Sequence, residues 1–148
     1  MKIAHLAGRI LLGGFLLFSS ITNLIDFKAA VGYAQAMGVP MPQVGTLIAM
    51  ILLLIGGLSI ITGYRPVIGI AAMTIFFLAV TPLMHAFWNM SDPIMSQINM
   101  RFFEANVGLL GASWMFLAIP QPWPFSLGSK TAQVRMDNMA TVDAEGSS

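Results

Sequence analysis

Charge in this chain is confined to short interruptions. Four stretches, Ile10 to Ile25, Ala29 to Tyr64, Pro66 to Ser91 and Ala105 to Ser129, contain no Asp, Glu, Lys or Arg. A bilayer core of about 30 Å is crossed by about 20 apolar helical residues, so about four spans with short connections use nearly the whole chain. Only 9% of the residues are charged and 57% are hydrophobic, where a soluble domain carries about 25% charged residues. Too little polar surface remains to face water, and the sequence reads as a small multi-span membrane protein. The net charge of +1, without any basic run, excludes nucleic acid as a partner. The absence of cysteine excludes disulfides, thiolate metal sites and iron–sulfur clusters, so redox chemistry here needs a borrowed cofactor.

The predicted fold class is all-α, an up-down four-helix membrane bundle with a short interfacial helix between the first and second spans. Lys2 and Arg9 ahead of an apolar run imitate a signal peptide, but Phe18-Ser19-Ser20 offers no convincing cleavage site, so this is read as a retained first span. It is expected over Ile3 to Asn23, ending at Asp26. The interfacial helix follows over Phe27 to Met37 and stops at Gly38-Val39-Pro40-Met41-Pro42. The second span is expected over Val44 to Gly63, with Gly56-Gly57 allowing close backbone approach. A turn at Tyr64-Arg65-Pro66 leads into the third span, Pro66 to Trp88, kinked by Pro82 near His85. A polar loop, Asn89 to Asn99, precedes the fourth span, Met100 to Ile119. Residues 1–125 thus form one membrane domain, and 126–148 a polar tail expected to be disordered. The positive-inside bias of Lys2, Arg65, Lys130 and Arg135 puts both termini in the cytoplasm.

In an up-down topology the ends of odd helices meet the starts of even ones, and polar groups in lipid turn toward one another. Asn23, Asp26, His85, Trp88, Arg101, Glu104 and Asn106 are therefore expected to form a polar pocket at the outer ends of the helices, in the outer leaflet. His85 with Glu104 is a candidate proton-passing pair, the plain alternative being that Glu104 balances Arg101 or His85 in a structural ion pair. Arg9, about 9 Å into the first helix, either holds an anionic headgroup or partner, or snorkels to the phosphates. His5 and His85 sit at opposite ends and cannot flank one haem iron. No metal site is predicted, because the spacing of His85, Glu104, Asp26 and Asp92 matches no ligand pattern. Ala4 with Gly8, Ser59 with Gly63, and Gly108 with Ala112 read as helix-packing pairs. Trp114 reads as wedged between neighbouring helices.

Several segments, in order, resemble the DoxX family of small four-helix membrane proteins. Gly8-Arg9, Asp26-Phe27, Val31-Gly32-Tyr33, Gly38-Val39-Pro40, Gly56-Gly57, Gly63-Tyr64-Arg65, His85-Ala86-Phe87-Trp88-Asn89, Asn106 and Gly111 carry the likeness, which spans about Ile3 to Pro120. The resemblance implies a bacterial inner-membrane protein, at most a non-autonomous subunit of a quinone-linked or oxidative-stress redox system, with quinone as its implied ligand. Asn23, Leu53 and Ala105 stand where relatives carry charges, which favours a rival reading as a non-catalytic scaffold for a redox enzyme. Membrane lipid, a redox enzyme or a second copy of the chain are the implied partners. A small transporter is the third reading, and it would require oligomers.

Overall fold

The computed structural model describes residues 1–127, which contain five α-helices and no strand. The expected tail of residues 126–148 lies almost wholly outside the described residues. Helix α1 (Lys2–Ile25) turns at Asp26 into the short α2 (Phe27–Ala36), and the Asp26 carboxylate caps α2 by accepting the Ala29 N–H at 3.2 Å. Gly38, at φ 77°, takes the chain out of α2. Pro42 then opens α3 (Pro42–Thr62), which stops at Gly63 in the left-handed conformation. The turn that follows is tied by the Ser59 hydroxyl, placed 2.9 Å from the Tyr64 carbonyl and 3.0 Å from that of Arg65. Pro66 opens α4 (Pro66–Met84), and after a single 3₁₀ turn at Phe87–Asn89 comes α5 (Pro93–Met115).

The third span runs as α-helix to Met84 and on through the 3₁₀ turn to Asn89, next to the expected end at Trp88. One boundary differs from expectation for a local reason. The segment read as a loop to Asn99 is helical from Pro93, because Asp92 accepts the N–H groups of Ile94 and Met95 and Pro93 fills the first helical position.

The helices pack as a series. Helix α3 lies between α1 and α4, α5 rests on α4, and α2 leans on α1 and α3. Adjacent glycines let α3 touch two neighbours at once. A Cβ on Gly57 would stand 2.9 Å from the Gly13 carbonyl oxygen of α1, and one on Gly56 would stand 2.7 Å from Cγ of Met73 on α4. By contrast, an added Cβ on Gly8 or Gly108 meets nothing within 4 Å among the described residues, so neither glycine marks a close helix contact there. Leu16, Met50, Leu53, Ile60, Ile70, Met73, Phe77 and Trp123 form the core.

Outward, the surface is greasy. Leu11, Phe15 and Phe18 of α1, Ile51 and Leu58 of α3, and Ile75 and Leu78 of α4 are all exposed, an arrangement that water penalises and lipid does not. Three helices, Lys2–Ile25, Pro42–Thr62 and Pro66–Asn89, are long and apolar enough to cross a membrane. Helix α5 has the length, 23 residues or about 34 Å, but is not among those three. Gln97, Asn99, Arg101, Glu104 and Asn106 dilute its apolar content.

Candidate functional site

A side-open cavity of about 640 Å³ lies among α1, α2, α3 and α4. Its walls are apolar, with Ala49, Leu53, Phe76 and Leu83 among them, while Ser19, Thr22, Asn23, Asp26, Tyr33, Thr46 and His85 supply the polar groups. The space exists because α2 leaves α1 at the Asp26 junction and lies against α3 with small residues, Ala29, Ala30 and Ala34, toward the cavity. The Ser20 hydroxyl, fully buried, donates to the Met50 carbonyl at 2.9 Å and fixes α1 against α3 beside it.

Of the residues expected to converge, Asn23, Asp26 and His85 line this one cavity, and Trp88, Arg101, Glu104 and Asn106 do not. Asn23 donates from its amide nitrogen to the Ser19 carbonyl at 2.7 Å. Glu104 pairs with Arg101, one helical turn away on the exposed face of α5, at 2.8 Å. His85 instead places Nδ1 3.0 Å from Oδ1 of Asn99. The proposed His85–Glu104 contact is therefore replaced by two others, because Glu104 faces away from α4 while Asn99 faces it. Trp88 packs edge-on against Phe87 and Phe103, with ring centroids 5.1 and 5.7 Å away. Asn106 is half-buried on α5.

Asn99 and Tyr33 are the site residues that sequence reasoning passed over. Asn99 is 1% exposed. Its Oδ1 also faces the Tyr33 hydroxyl at 3.4 Å, and its Nδ2 donates to the Met95 carbonyl at 3.0 Å. One amide thus joins α2, the end of α4 and α5. Burial raises the Tyr33 pKa above the ordinary tyrosine value, since a phenolate there would lose solvation. Reading Asp92-Pro93 as a helix start would have placed Asn99 inside a helix and made it visible.

Arg9 departs furthest from expectation. It is fully buried, with its head turned into the protein rather than toward the surface. Its Nε donates to the Ile60 carbonyl at 2.9 Å, one terminal nitrogen to Ile61 at 2.6 Å, and the other to Pro124 at 2.8 Å. The guanidinium also lies 5.4 Å from the centre of the Trp123 ring. The carbonyls at the end of α3 have no helical partners and carry the negative end of the helix dipole, so a buried cation is satisfied there without a carboxylate. His5 stacks edge-on to Trp123 at 5.1 Å, in the same cluster. Trp114 donates its indole N–H to the Thr74 hydroxyl at 2.9 Å, which joins α5 to α4. Among the described residues no group of three or more His, Cys, Asp or Glu side chains could hold a metal ion.

Apolar helices, a greasy exterior and a cavity with a polar edge define a helical membrane protein with room for a small amphipathic molecule. The DoxX family profile matches residues 4–86, and the inner membrane protein YphA of Escherichia coli K12 is 30% identical over 116 residues, 76% of this chain and 79% of the relative. This chain belongs to the DoxX family. The profile's reach is informative, since every residue lining the cavity falls within it. No solved structure matches.

Proposed function

We propose that this protein is a multi-pass accessory subunit of the bacterial inner membrane, with both termini cytoplasmic, that offers a binding cavity to a quinone in a quinone-linked or oxidative-stress redox system. In this reading α5 is the fourth span of an up-down bundle, its polar residues turned to α4 or to a partner. The cavity carries the proposal. Its size suits a ring with a short tail, its apolar walls suit both, and Asn23, Asp26, Tyr33 and His85 are among its polar lining. When bound, a quinone would supply electron-carrying capacity that no side chain here has. The residues would hold and orient it and keep its head hydrogen-bonded.

The test uses detergent-purified protein and a short-chain ubiquinone, followed by quenching of tryptophan fluorescence. Saturable quenching that is lost in Ala49→Phe, which fills the cavity, is the expected result. Non-saturable quenching, unchanged in that variant, overturns the proposal.

A second reading, a scaffold for a redox enzyme, draws on α5. Asn99 and Ser113 are its buried residues, and its Arg101–Glu104 pair is exposed. Crosslinking from Glu104 in native membranes should recover a redox enzyme. Recovery of lipid-embedded copies of this chain alone would count against that reading.

A further inference from the structure

We infer that the cavity selects a ligand bearing a hydrogen-bond-donating hydroxyl, and that Asn99 is the positioning residue that imposes this by holding His85 in its Nδ1–H tautomer. The inference rests on the cavity being a ligand site, as proposed above.

The chain of donors starts at a backbone carbonyl. The Asn99 amide atom 3.0 Å from the Met95 oxygen must be the nitrogen, since a carbonyl only accepts. The amide oxygen therefore points the other way, to Nδ1 of His85 at 3.0 Å and to the Tyr33 hydroxyl at 3.4 Å. That oxygen only accepts as well. Both neighbours must donate to it, so Nδ1 of His85 carries a proton and the neutral ring keeps its lone pair on Nε2. Nε2 has no hydrogen-bond partner among the described residues, and His85 lines the cavity.

The neighbouring polar groups lean the same way. The Tyr33 proton is committed to Asn99, which leaves its oxygen to accept. The Thr22 hydroxyl is committed to the carbonyls of Phe18 and Ser19, and one Asp26 oxygen accepts the Ala29 N–H. Ser19 and Thr46 hydroxyls can play either part, and one N–H of Asn23 remains. The bare Nε2 of His85 presents an acceptor to a largely apolar chamber. An oxidised quinone brings carbonyl oxygens, which are acceptors too, and cannot pair with that nitrogen. A hydroquinone, or a lipid alcohol such as a diacylglycerol, brings the missing O–H. These share one chemistry, a hydroxyl on an apolar body.

The experiment pairs spectroscopy with binding on the full chain in detergent, under nitrogen and at one mildly alkaline pH throughout. Nitrogen-15 spectra of histidine-labelled protein, with the His85 signals assigned by their loss in His85→Ala, should show a protonated Nδ1 and a bare Nε2. Affinities are then compared for a short-chain ubiquinol, the matching ubiquinone, the dimethyl ether of the ubiquinol, and dioctanoylglycerol. The ubiquinol should bind about tenfold or more tightly than the quinone or the ether, because those leave Nε2 unpaired. Asn99→Leu should erase that preference and broaden the tautomer signal, while Asn99→Asp, which keeps an acceptor at Nδ1, should restore both.

A protonated Nε2 in the wild-type protein overturns the inference, whatever the variants do. Equal affinity for quinone and ubiquinol also overturns it while leaving the quinone-site reading intact. Binding of dioctanoylglycerol with no binding of either ring compound supports the hydroxyl preference and removes the quinone-site reading.

Discussion

Replacing Arg9 by methionine removes the guanidinium and keeps a side chain of similar reach. Three carbonyl oxygens, of Ile60, Ile61 and Pro124, then lose donors at 2.9, 2.6 and 2.8 Å in a buried place. Leaving a buried acceptor unpaired costs about 1–3 kcal/mol, or about 3–9 kcal/mol for three if they add. Against this, the fold no longer has to strip water from a cation, which returns several kcal/mol. The expected net loss is about 2–4 kcal/mol, or about 4–16 °C in melting temperature for a chain of this size. The segment around Trp123 should loosen first, since Arg9 is what binds Pro124 to the end of α3. Because the natural chain has no cysteine, Ser126→Cys gives a single reporter at a site 2% exposed. Maleimide labelling of that cysteine should be slow with Arg9 present and much faster with Arg9→Met. Arg9→Lys should fall between, because an ammonium cannot fork across three carbonyls as a guanidinium does. An unchanged melting temperature together with an unchanged labelling rate would refute the argument that this cation holds the two segments together.

The glycine contacts make an opposed pair of predictions. Gly57→Val puts side-chain atoms where Gly13 and Leu17 of α1 already stand and should cost about 1–3 kcal/mol or more by overpacking, whereas Gly108→Val, with nothing within 4 Å among the described residues, should leave the stability within about 0.5 kcal/mol of the parent. Thermal unfolding in one detergent compares them, and equal losses would mean that the helix order is wrong. For Tyr33, burial raises the pKa, so the folded state holds the phenolic proton more tightly than the unfolded one. The resulting stability is fully present below the ordinary value of about 10 and is lost as pH rises through the folded value. An ultraviolet tyrosinate titration in a Tyr64→Phe background should give a midpoint above that ordinary value, and a midpoint at or below it would contradict the buried hydroxyl.

Much of the local architecture was legible in the residues themselves. Asp26 as the junction, the end of the second span at Gly63, Pro66 as a start and Gly56-Gly57 as a contact point follow from rules that act over a few residues. Where two such rules were overlooked, at Asp92 and Pro93, the start of α5 was misjudged and Asn99 vanished with it. The Arg101–Glu104 pair lay within the same reach, since side chains three apart on a helix are neighbours whatever surrounds them.

Other features had no local signal. Arg9 looked like a surface cation because its own helix offers it nothing; its partners lie 51, 52 and 115 residues away. His85 found Asn99 rather than Glu104 because the rotation of α5 about its axis, set by packing on α4, decides which polar residue faces inward. The sequence determined the solvent of this protein and the ends of most of its helices, since hydropathy and capping are summed over neighbours along the chain. Only the tertiary structure decided which polar groups meet, because those choices depend on the order and rotation of the helices, and both are fixed by long-range contacts such as Gly13 against Gly57.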